Sequence, residues 1–132
     1  MLSWWIYCSH SPIDTQKCRL LIRLVLNSFR LGYDRCIFCY DNQLNCIAHI
    51  IFDCKMNQCI RERQWNIVCE ECPAALLEEM QFMDSTKRTK FILNAFYCKF
   101  TPEWTTLYRA VLLFVYKVYM AYYNATKDFK CD

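Results

Sequence analysis

A chain of 132 residues, 55% hydrophobic and 17% aromatic, is long enough for a single domain (1–132) with a real core and too apolar for disorder over most of its length. One glycine and three prolines exclude hairpin-rich sandwiches and barrels, which depend on many tight turns, and favour a mainly α fold with no extended sheet. The formal charge of +3, carried wholly by residues 1–68, is too mild for a strongly basic nucleic-acid footprint.

Eleven cysteines are an odd number, and residues 1–7 lack the basic flank and long apolar run of a signal peptide. The expectation is reduced thiols in an intracellular setting, nucleus or cytoplasm, with most cysteines packed as small hydrophobes.

In chain order, Asp14 or Thr15 is placed to cap an amphipathic helix over residues 12–32, with Cys18, Leu21, Ile22, Val25, Leu26 and Phe29 inward and Gly32 as its stop. An irregular segment follows from Arg35, in which Asn45 can cap a short helix carrying His49. A helix over residues 56–68 turns Ile60 and Trp65 inward. Pro73 suits the first turn of a helix over residues 74–83, and Ser85 can cap another through Phe91, Ile92 and Phe96. Thr101, Pro102 and Glu103 make a strong start signal for a last helix reaching about Asn124. Its apolar stretch, residues 107–123, contains Arg109 and Lys117 and falls short of a membrane span; Thr106, Arg109, Lys117 and Asn124 form one wet edge on a buried helix. The C-terminal helical part is expected over residues 73–126.

Residues 35–68 contain the chemistry. Cys36, Cys39, His49 and Cys54 spell C-x2-C-x9-H-x4-C. A two-residue gap lets one turn aim two thiolates at one ion, and a helical histidine with a cysteine just beyond it supplies the other pair. Four such ligands suit one tetrahedral zinc ion in a closed, structural site. A second pair, Cys69-x2-Cys72, leaves open a set made of Cys36, Cys39, Cys69 and Cys72. The placement of His49 among Ile47, Ile50, Ile51 and Phe52 favours the first set.

The run Arg35 to Cys39, then His49-Ile50-Ile51-Phe52-Asp53-Cys54, then Arg61 and Arg63 ahead of Trp65, resembles the zinc-binding domain found C-terminal to the reverse transcriptase of non-LTR retrotransposons. The likeness covers about a quarter of the chain. Departures stand at Ile37, Tyr40, residues 44–46 and Lys55, and the loss of the family's glycine after the second cysteine would press Tyr40 toward left-handed backbone. The resemblance implies a nucleic-acid-associated accessory role, and a free-standing fragment or descendant of such an element.

Catalytic motifs are missing. One glycine cannot make a phosphate loop, no His-Glu-x2-His helix occurs, and the pairs Glu70–Glu71 and Glu78–Glu79 diverge on a helix surface. The expectation is a non-enzyme without a small-molecule substrate or membrane partner. On the leading reading Arg35, Lys55, Arg61 and Arg63 contact RNA or DNA phosphates, within a wider basic set that includes Arg19, Arg23 and Arg30. The alternatives are a helical protein-interaction or self-association module, with Trp4, Trp5, Trp104 and the tyrosines of the last helix forming an apolar groove, or a relic without selected function.

Overall fold

The computed structural model describes Tyr7 and residues 12–25, 36, 38–39, 47–94 and 104–127. Five α-helices occur among them: α1 (Thr15–Val25), α2 (Gln58–Glu71), α3 (Ala74–Gln81), α4 (Ser85–Leu93) and α5 (Thr105–Lys127). A π-helical turn at His49–Asp53 and 3-10 turns at Pro12–Asp14 and Lys55–Asn57 complete the described elements. No strand occurs among the described residues, as the scarcity of turn-forming residues implies.

Helix α5 is the spine. It packs against α1, α2, the π-turn and the 3-10 turn that follows it. Leu107, Tyr108, Val111, Leu112, Phe114, Val115, Val118, Tyr119 and Tyr122 are all buried, so apolar contact encloses most of its circumference. Each such side chain contributes about 1.5–3 kcal/mol when removed from water. Thr106, Arg109, Lys117 and Asn124 are exposed, which is the expected wet edge. The helix runs to Lys127, past the expected end near Asn124, while its start signal at Thr101, Pro102 and Glu103 lies outside the described residues. No described helix is long and apolar enough to cross a membrane.

Helix α1 buries Cys18, Leu21, Ile22 and Leu24 and exposes Arg19 and Arg23. The caps expected for it are used otherwise. The Asp14 carboxylate is buried and accepts the Tyr7 hydroxyl at 2.6 Å, and the Thr15 hydroxyl donates back to the Pro12 carbonyl at 2.6 Å. Tyr7 also stacks on Tyr108 of α5, with ring centroids 6.2 Å apart, so this buried carboxylate has a donor anchored in the core. The expected continuation of α1 through residues 26–32, with Leu26, Phe29 and Arg30, lies outside the described residues.

Two caps differ from expectation. Asp84, not Ser85, caps α4: its Oδ1 accepts the Lys87 N–H at 2.7 Å, because a carboxylate answers both the orphan donor and the positive end of the helix. The Ser85 hydroxyl is then free to donate to Asp53 Oδ1 at 2.8 Å, tying α4 to the π-turn. Pro73 precedes α3 instead of entering it, and its carbonyl accepts the Leu77 N–H at 3.0 Å. At the other end of α3, Arg88 donates to the carbonyls of Met80 and Met83 while its guanidinium lies over the rings of Phe52 and Trp65. One side chain thereby closes a helix end and packs on the aromatic cluster of Phe52, Trp65 and Phe114.

Candidate metal centre

Three segments build the site. Cys36 and Cys39 come from the two-residue-gap turn, and His49 and Cys54 from either end of the π-turn. In an α-helix, residues five apart point about 140° from one another. The wider π-turn removes that divergence. Its closing hydrogen bond runs from the Cys54 N–H to the His49 carbonyl at 2.7 Å, stacking the two ligand residues over each other. The 3-10 turn after Cys54 is pinned by Asn57, whose Nδ2 donates to the Ile50 carbonyl at 3.1 Å.

All four side chains are buried, and their ligand atoms lie within 4.8 Å of one another. The Cys36 and Cys54 sulfurs are 3.6 Å apart. That is far beyond a disulfide bond of about 2.05 Å and close to the edge of about 3.8 Å that a tetrahedral zinc with Zn–S bonds of about 2.3 Å requires. Neither ring nitrogen of His49 has a hydrogen-bond partner, although the residue is only 3% exposed. A buried nitrogen without a partner costs about 1–3 kcal/mol, and a metal ion would resolve it. The donor set therefore fits a metal ion.

The electrostatics suit ligation. Burial holds the His49 ring below its usual value, opposed by Asp53 and assisted by Arg61, so the imidazole is neutral at pH 7. Burial raises the Cys36 thiol, but backbone N–H groups of Phe38 and Cys39 and the Cys54 side chain outweigh it and bring the group below its ordinary value. Cys54 is pushed up to about 12, first by burial and further by the charge of its sulfur neighbours. Three thiolates converging within 4.8 Å would need a cation between them. Donors also surround the sulfurs: the Lys55 N–H approaches Cys39 Sγ at 3.4 Å, and the Tyr122 hydroxyl of α5 approaches Cys36 Sγ at 4.0 Å. Phe38, inside the first turn, meets the Tyr122 ring edge-on at 5.7 Å.

The rival set is not brought together. The cluster consists of Cys36, Cys39, His49 and Cys54, while Cys69 and Cys72 lie half-buried at the end of α2. Burial raises both of those thiols, Cys72 to about 11 with help from the charge of Cys69.

Among the described residues, Arg61 differs from the other basic residues expected near the site. Lys55 and Arg63 are exposed. Arg61 is half-buried and its Nη1 donates to the Cys54 carbonyl at 2.8 Å, so it points into the site. Residues two apart on a helix project about 200° from each other, which sends Arg63 to the opposite side. Arg35 and Arg30 lie outside the described residues, as do Asn45 and Tyr40. Of the expected apolar groove, Trp4 and Trp5 also lie outside them, Trp104 is half-buried against the core, Tyr108, Tyr119 and Tyr122 are buried, Tyr116 is half-buried and Tyr123 is exposed.

The sequence reading missed Tyr122 and the inward role of Arg61. For Tyr122 no signal existed, since it is 86 residues from Cys36 and sits in a tyrosine-rich helix. For Arg61 the signal was its position seven residues after Cys54, within reach of that residue's carbonyl once the 3-10 turn leads into α2. Compared with family models, with curated proteins and with solved structures, the chain matches none.

Proposed function

We propose that this protein is a non-catalytic domain organised by one structural zinc ion on Cys36, Cys39, His49 and Cys54, and that it serves as a nucleic-acid-associated module of the kind found after retrotransposon reverse transcriptases. The observation that carries the zinc reading is the convergence of three buried sulfurs on an imidazole with no other partner. When bound, the ion cross-links the Cys36–Cys39 turn to the π-turn and supplies the charge that three close thiolates need. Four protein ligands leave no open position for water or substrate, so the ion's role is scaffolding.

The nucleic-acid reading rests on the spacing of the ligands and of the arginine and tryptophan after them, with exposed Lys55 and Arg63 as its phosphate contacts. A salt titration tests it. Labelled single-stranded RNA and duplex DNA should bind at low salt, with log K falling linearly against log salt at a shallow slope of about one to two released counterions. Absence of binding by both probes at low ionic strength removes the nucleic-acid reading and leaves the zinc reading intact.

A further inference from the structure

Arg61 is half-buried beside the four candidate ligands and not fully exposed. Its Nη1 donates at 2.8 Å to the carbonyl of Cys54, a carbonyl that also accepts the Asn57 N–H at 3.3 Å. A divalent ion with three thiolates and a neutral imidazole carries one net negative charge inside a buried pocket. Such a charge is costly without a nearby counterion. Lys55 is exposed, so water and salt screen it; Arg61 is half-buried and bonded to a ligand residue. The negative Asp53 on the π-turn is exposed and bonded to Ser85, and it adds to the demand for a cation on this side.

We infer that Arg61 is a positioning and charge-compensating residue of the metal centre, holding the Cys54 backbone in place and balancing the charge of the loaded site. The inference rests on the zinc reading. It also removes Arg61 from the phosphate contacts. Partners of this kind around metal ligands typically account for about 10- to 100-fold in metal affinity.

The test uses the full chain, reduced, stripped of metal and titrated with Co(II), followed by zinc competition. Wild type should show the intense thiolate-to-cobalt charge-transfer band of a tetrahedral site at one ion per chain. R61Q keeps an N–H donor but loses the charge, and should bind about 10-fold or more weakly with a displaced charge-transfer band. R61K should recover most of the affinity and the wild-type spectrum, and R63Q should bind as wild type does. R61M serves as the neutral variant if R61Q does not stay soluble. Equal affinity in R61Q and wild type overturns the inference, and so does an R61K loss as large as that of R61Q, which would mark a purely geometric role. A wild-type chain that takes up no cobalt overturns the zinc reading itself, and this inference with it.

Discussion

The metal-ligand segments and helix α5 occupy opposite ends of the range of ways a chain can stay folded. Helix α5 is held by many apolar side chains, among them Tyr108, Leu112, Phe114 and Val118, none of which is indispensable alone. The turns that carry Cys36, Cys39, His49 and Cys54 bury Ile50 and Ile51 but also polar groups, including an imidazole and the Asn57 Oδ1 without partners. One region disperses its stabilisation over a large surface, and the other concentrates it at a point. The lesson is that burial has opposite meanings in the two: in α5 it drives folding, and around His49 it is a cost that a ligand must offset.

The sharpest break in that comparison is removal of the proposed zinc ion. Apparent binding energies of structural zinc, about 10–16 kcal/mol, match or exceed the typical net stability of a domain, about 5–15 kcal/mol. Chelation, or Cys54→Ser, should collapse the π-turn and its contact with α5 and sharply lower the melting temperature, followed by far-UV dichroism. A melt unchanged by chelator would place the stability elsewhere. In α5 the corresponding cut is Leu112→Ala, expected to cost about 2–5 kcal/mol in chemical denaturation while the zinc content stays at one ion per chain. Loss of the ion in that variant would mean the two regions are not separable.

The pH dependence divides them again. In the metal-free chain Cys54 is pushed from its ordinary 9.0 to about 12, chiefly by burial. A folded-state value above the unfolded one means this thiol's contribution is fully present below about pH 9 and is lost as pH rises toward 12. Zinc uptake must displace that proton, so affinity should weaken as pH falls and binding should release protons, visible as a buffer-dependent heat in calorimetry. The α5 packing, being apolar, should show no matching change between pH 6 and 9.

The smallest expected effect is at the α4 cap. Asp84→Ala removes the acceptor for the Lys87 N–H and should cost about 1 kcal/mol, with metal affinity unaltered.

Legibility in the sequence followed the same division. Periodicity gave the buried face of α5 and its wet edge because both follow from side-chain type alone. The four ligands were legible from spacing and residue type, since few patterns in a cysteine-rich chain also place a histidine among apolar neighbours. The π-turn was not: nothing in Ile50, Ile51 and Phe52 separates it from an α-helix, and its mark is the backbone bond from the Cys54 N–H to the His49 carbonyl, which residue type does not announce. Asp84 and Ser85 are both good caps by residue type, and the fold uses the carboxylate for the cap and the Ser85 hydroxyl for the bond to Asp53. Arg61 and Arg63 look equivalent as letters, yet helical geometry sends one to the Cys54 carbonyl and the other to solvent.

The central claim is tested most directly by the metal content of the purified chain under reducing conditions, set beside two variants. One zinc per chain is predicted for wild type and for the Cys69→Ser, Cys72→Ser double variant, and a loss of bound zinc for Cys54→Ser. A wild-type chain without zinc, or a Cys54→Ser chain that keeps it as tightly, would contradict the account.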